Sequence, residues 1–255
     1  MLSALPDLAE VRLGGLMPVG LTRATFERLG RARTAPDAIG GCGRTIDDIL
    51  LKLNRSMWAS RFSVLRTRFG LNGGDAFLTS GNYVHGGAGH WYVFHRNGRW
   101  EPQFNIGMNG VHPGQEPYLR VGLGANLTMA SADPDRESGL RQLRSLFINL
   151  QWVARSSHRP LMLNALSVGR PIAESVGVQG PRAATGEAIA SWLASVDVQD
   201  AAWVFVGRAF SLTVPEEAEA LADFDELMFE ITRTLDAWLP VWEAAMRGPD
   251  SEVLR

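Results

Sequence analysis

The sequence predicts an α+β fold: a central antiparallel meander flanked by helices, with a long C-terminal helix. Three observations carry this. Apolar residues recur at helical spacing toward both ends of the chain, while glycines cut the middle into short strand-like runs. Between two aromatic segments, Arg96-Asn97-Gly98-Arg99 supplies Asn-Gly, a strong hairpin signal. Length (255 residues), 45% hydrophobic content and 20% charge fit a globular chain rather than a disordered one. One domain over residues 1–255 is expected: helical over 1–70, strand-rich over 71–130, helices and one strand over 131–255.

Each element has its own reason. Thr22 can cap a helix through Phe26 and Leu29, and Pro36, Gly40, Gly41 and Gly43 mark a loop. A second helix starts at Thr45 and Asp47 on the spacing of Ile46, Ile49, Leu50 and Leu53. Met57, Trp58, Phe62 and Leu65 extend its apolar side. Strand-like runs follow at Ala76 to Thr79, Trp91 to His95, Trp100 to Ile106 and Tyr118 to Thr128. Leu140, Leu143, Leu146, Phe147, Leu150 and Val153 predict a helix from Ser138 to about Ser156. Residues 157–185 carry only a weak signal. Ile189, Trp192 and Leu193 suggest a short helix, and residues 202–207 read as a buried strand. The strongest helical pattern runs from Glu216 to Met246 despite Pro240.

Composition narrows the chemistry. Of the 25 basic residues only Lys52 is a lysine, so a lysine-dependent reaction has one candidate. Cys42 is the single cysteine, which excludes an intramolecular disulfide and a cysteine-rich zinc site. No apolar run reaches the ~20 residues that span a bilayer, and the N-terminal residues lack a signal-peptide pattern, so a cytoplasmic location is expected. Phosphate-binding loops, dinucleotide fingerprints, serine-hydrolase elbows and zinc-protease helices are all missing. Charge is uneven under a net −2. Residues 41–122 carry nine basic and five acidic groups, whereas residues 216–255 carry three and eleven. A locally positive region can meet a polyanion despite the near-neutral total.

Three groups of residues point to chemistry. His85, His90 and His95 recur every five residues; they either meet at a zinc ion or serve as turn and partly buried residues. On one strand, Glu101, Gln103 and Asn105 project from the same face, which needs water, a ligand or a metal. From Arg55 to Phe69, arginines alternate with aromatics: Arg55, Trp58, Arg61, Phe62, Arg66 and Arg68. Such a stretch either tracks phosphates and stacks bases or forms an amphipathic helix with solvated arginines.

Glu101-x-Gln103 resembles the second half of a PD-(D/E)XK restriction-endonuclease site. The resemblance implies Asp75 and Glu101 as magnesium ligands and Gln103 in place of the usual lysine, with water activated for phosphodiester cleavage. No proline precedes Asp75, however, and no lysine follows Glu101. A second resemblance covers residues 75–246. The blocks WYVFHRNGRWEPQFNIGMN, YLRVGLGANLT, WVFVGRAF, DFDEL and LPVW are similar to restriction-type proteins of phage defence. In these an E-x-Q-F-N-I-G strand precedes an HNH nuclease module, which has no counterpart here.

The resulting expectation is a DNA-binding protein of restriction type, with magnesium-dependent deoxyribonuclease activity as its enzymatic form. Arg55, Arg61, Arg66, Arg68, Arg96, Arg99 and Arg120 would contact DNA, modified or not, with Asn105. Trp58 and Trp91 would stack on bases or sugars. A homodimer would match two-fold DNA. The alternative is a small-ligand-binding or scaffold protein with a polar, strand-lined pocket.

Overall fold

The computed structural model describes residues 20–32, 49, 51–71, 83–84, 90–93, 100–102, 104–109, 116–178, 185–197 and 199–249. The expected strand at 76–79 and the hairpin link at 96–99 lie outside these residues, as do Asp75, His85, His95, Arg96, Arg99 and Gln103.

The fold is α+β. Thr22 precedes helix α1 (Arg23–Ala32), and its carbonyl accepts from the Thr25 amide. The expected second helix is interrupted. Ile49 and residues 51–54 are helical, the chain turns at Arg55, and α2 (Met57–Arg68) then starts afresh. Ser56 causes the restart: extended itself, it accepts the Ala59 amide at 3.2 Å and satisfies a first-turn donor. The meander follows as β1 (Tyr83–Val84), β2 (His90–Val93), β3 (Phe104–Asn109) and β4 (Tyr118–Asn126). Helix α3 (Pro134–Arg155) is capped by Asp133 with Pro134 at its first turn, four residues ahead of the predicted start.

Residues 157–185 contain two elements that the pattern did not reveal, α4 (Arg159–Leu166) and β5 (Arg170–Val176). The strand is partly exposed along its length and contains Pro171, so it has neither the alternation nor the apolar run of a strand signal. An edge position tolerates both features. Thr185 caps α5 (Gly186–Ser195), and β6 spans Trp203–Ser211. The predicted C-terminal helix is two helices, α6 (Pro215–Ala222) and α7 (Phe224–Arg247). Asp223 divides them, accepting the Asp225 and Glu226 amides at 2.9 Å each, and α7 continues through Pro240. Lys52, the single lysine, ion-pairs with Asp225 at the start of α7 and lies over the Phe224 ring.

The six strands form one antiparallel sheet in the order β1-β2-β3-β4-β6-β5. Paired residues share a face, so the register sorts the side chains. Phe104, Ile106, Met108, Leu119, Val121, Leu123, Ala125, Val204, Val206 and Phe210 line one face. They are buried against helices. Trp58 and Phe62 of α2 meet Phe104 edge-on at 5.3 and 5.1 Å, and Phe62 meets Trp242 of α7 at 5.0 Å. Leu146, Phe147 and Leu150 of α3 lie opposite Leu123, Ala125, Val204 and Val206.

The other face is the unusual one. Asn105 pairs with Gly122, Gly122 with Gly207, Arg120 with Ala209, and Gly124 with Phe205. Glu174 of β5 sits level with Phe205 and therefore with Gly124, six residues along from Tyr118. A flat sheet would hold the Tyr118 and Glu174 Cα atoms about 20 Å apart. Yet the Tyr118 hydroxyl donates to Glu174, as does the Arg120 guanidinium. The sheet must curl, concave on this face. Gly122 and Gly207 permit the bend: a Cβ on Gly122 would stand 2.6 Å from the Gly207 Cα, and one on Gly207 2.8 Å from the Gly122 Cα.

Gly122→Ala is accordingly expected to lower stability by about 3 kcal/mol or more, through strain with no flexible neighbour to yield. Gly124→Ala, whose Cβ would meet Phe205 and Asn105 at 3.5–3.6 Å, should change it by less than about 1 kcal/mol. Urea unfolding of the two variants measures the contrast.

Candidate functional site

The predicted site residues divide among three places. Glu101 does not lie on a strand, because β3 starts at Phe104, and so it does not share a face with Asn105. Its side chain, 3% exposed, accepts from Arg66 Nη2 of α2 at 2.7 Å, and Arg66 is fully buried. Burial lowers the Arg66 pKa from its usual value, while the charge and hydrogen bond of Glu101 act in the opposite direction. Both residues are thereby committed to a buried ion pair joining α2 to the lead-in of β3. Magnesium does not fit at Glu101, since an arginine already neutralises the carboxylate and repels a second cation. Among the described residues, no three His, Cys, Asp or Glu side chains stand close enough to hold a metal ion. No catalytic step is therefore derived through Glu101.

Two of the predicted DNA contacts are also withdrawn from the surface. Trp58 is a core residue, 1% exposed, stacked on Phe62 at 5.0 Å. Arg66 serves Glu101. Both sit on the inner side of α2, which the arginine–aromatic alternation could not separate from its outer side.

The outer side forms the second place. Met57, Ser60, Arg61, Val64, Thr67 and Arg68 are all exposed and follow one another at helical three- and four-residue steps. Met57 is 81% and Val64 63% exposed. Arg61 pairs with Asp236 of α7 at 3.0 Å and Arg68 with Glu243 at 3.5 Å. Arg55, exposed, precedes the helix.

The concave sheet face is the third place, and it brings together Asn105 and Arg120. Arg120, 2% exposed, ion-pairs with Glu174 and lies over the rings of Phe205 and Trp203, at 4.5 and 4.7 Å from their centroids. Phe205 covers Gly122, Gly124 and Gly207, and the Asn105 side chain stands beside it against Gly124. Asn105 is 5% exposed, and its Oδ1 is buried without a hydrogen-bond partner. Trp91 and His90 belong to β2, paired with Met108 and Asn109.

At the far end of β6, Ser211 and Thr213 donate to Glu116, the Ser211 amide donates to Glu217, and Arg170 stands 3.5 Å from both carboxylates. Burial alone would raise the Glu116 pKa, but the two hydroxyls and Arg170 outweigh it and hold the carboxyl below its usual range.

Tyr118, Glu174, Trp203 and Phe205 were not singled out from sequence. A signal existed: alternate positions 118, 120, 122 and 124 read Tyr, Arg, Gly, Gly, a composition unsuited to a solvated sheet face. Comparison of the chain with protein-family models, curated proteins and solved structures found no match.

Removing either partner of the Arg66–Glu101 pair leaves a buried charge, so Arg66→Met or Glu101→Gln should each cost about 3–5 kcal/mol. Restoring neutrality in the double variant should recover a large part of that loss, as read by a double-mutant cycle in denaturant. Ser211→Ala should move the Glu116 carboxyl upward toward its ordinary range, followed by NMR titration. The sign follows from linkage: a depressed folded pKa contributes stability above the unfolded value, lost as pH falls through the folded one. The variant should therefore lose less stability than the parent on acidification.

Proposed function

We propose that the chain is a DNA-binding protein of restriction or phage-defence type that meets DNA through the outer side of α2, without using Glu101 as a catalytic residue. The observation carrying this reading is the exposed stripe Met57–Ser60–Arg61–Val64–Thr67–Arg68. Arg61 and Arg68 are seven residues apart, about 10.5 Å along a helix axis. That span is close to the roughly 12 Å width of a major groove, so the two guanidinium groups can reach phosphates on opposite walls. Ser60 and Thr67 add hydroxyl donors, and Met57 and Val64 offer apolar contact to thymine methyl groups. Arg55 extends the positive surface toward the preceding turn.

Asp236 and Glu243 currently hold Arg61 and Arg68, but exposed pairs of this kind are worth only about 0–1 kcal/mol. Phosphates can replace those carboxylates at small cost. The two acids also restrict where the backbone can approach, because DNA lying over α7 would meet like charge. Recognition of DNA and its cleavage are separable here, since the stripe is independent of the Arg66–Glu101 pair. Among the described residues, no helix is long and apolar enough to cross a membrane.

Gel shifts with unmodified and cytosine-modified duplexes over a salt series test the proposal. Affinity is expected to fall steeply as salt rises, and Arg61→Ala/Arg68→Ala should reduce the log–log salt slope by about 2 while preserving the fold. Absence of binding at low salt, or an unchanged slope in the double variant, would overturn it.

A further inference from the structure

The concave face of the sheet holds chemistry that the α2 stripe does not use. A buried amide oxygen without a donor costs the protein the desolvation of that group. Asn105 Oδ1 is in this position while the rest of the same face is densely paired. Its surroundings specify what would satisfy it. Phe205 and the half-buried Trp203 lie nearly parallel, 13° apart with centroids 6.3 Å apart, and Arg120 lies over both. Glu174, with its side chain 24% exposed, adds carboxylate oxygens that retain accepting capacity beyond the bonds from Tyr118 and Arg120. The face therefore offers acceptors beside an aromatic and cationic surface.

We propose that this concave face binds a planar, amino-bearing heterocycle of the nucleobase class, whose amino group donates to Asn105 Oδ1. The ring stacks on the Trp203 side of the cluster, where the face is half-buried rather than sealed. The interior of a curled sheet is a common place for such ligands, and a few placed polar groups within it set specificity. Adenine, cytosine and guanine carry the required amino donor. Thymine and uracil do not, and a site that leaves its acceptor unpaired rejects the analogue strongly. The ligand can arrive as a free nucleoside or as a base of a single strand. It is not drawn from a duplex held on α2, because α2 packs against the opposite face of the sheet.

Calorimetric titration of the full chain with adenosine, cytidine, guanosine, thymidine and uridine, and with short oligo-dA, oligo-dC and oligo-dT, tests this. At least one amino-bearing nucleoside should bind at least tenfold more tightly than thymidine and uridine. Tighter binding of the matching oligonucleotide would identify the single strand as the source, and tighter binding of the nucleoside the free ligand. Asn105→Leu should abolish that preference and at the same time raise the thermal midpoint of the unliganded protein, since it removes an unpaired acceptor. Equal binding of all five nucleosides, no binding by any of them, or a lowered midpoint in Asn105→Leu would each overturn the inference. Arg61→Ala/Arg68→Ala should leave nucleoside binding unchanged, so this proposal and the duplex-binding reading fail separately.

Discussion

Gly122 and Gly207 face each other across β4 and β6 so closely that a Cβ on either would strike the other's Cα. That contact bends the two central strands, and the bend explains the remaining geometry of the concave face. It brings Tyr118 within reach of Glu174 and swings Arg120 over Trp203 and Phe205. Side chains that a flat sheet would present to solvent are buried instead. Arg120, Asn105, Phe205 and Ser211 all owe their burial to curvature rather than to apolar character, because three of the four are polar.

Buried arginines recur in the elements that hold the sheet to its surroundings. Arg66 joins α2 to the segment before β3, Arg120 joins β4 to β5, and Arg208 joins β6 to Glu230 and Thr234 of α7. Each carries its charge inside the fold and meets a carboxylate there. A guanidinium is suited to this role, being weakly hydrated, permanently charged and flat enough to lie on an aromatic ring. The same residue type that dominates the basic composition therefore divides into two populations. One ties elements together, and the other, Arg55, Arg61 and Arg68, remains at the surface.

That division marks the limit of what the sequence discloses. Elements with a strong apolar period were legible: α3, β4 and β6 lie close to where the pattern of Leu140 to Val153, Tyr118 to Thr128 and residues 202–207 put them. The α+β class followed from them. Breaks made by a single capping side chain were not legible. Ser56 and Asp223 each divide one periodic run into two helices through hydrogen bonds that leave the apolar spacing intact. The edge strand β5 escaped because partial exposure erases alternation. Asn105 and Arg120 were singled out by sequence and do share a face, but the reason lies in a register spanning 15 residues. Glu101 and Arg66 looked like surface chemistry because nothing local distinguishes a carboxylate aimed at DNA or metal from one aimed at a buried guanidinium 35 positions away.

Lys52 gives the fold one further property. As the single lysine it carries the only side-chain amine of the 255 residues, and it is held between Asp225 and the Phe224 ring at the point where α7 begins. Neutralising that amine by acylation would remove both its attraction to Asp225 and its attraction to the ring. The junction between the helical segment at 51–54 and α7 would thus register the covalent state of one nitrogen atom. The rest of the cationic surface, being guanidinium, would be left unchanged by the same reagent.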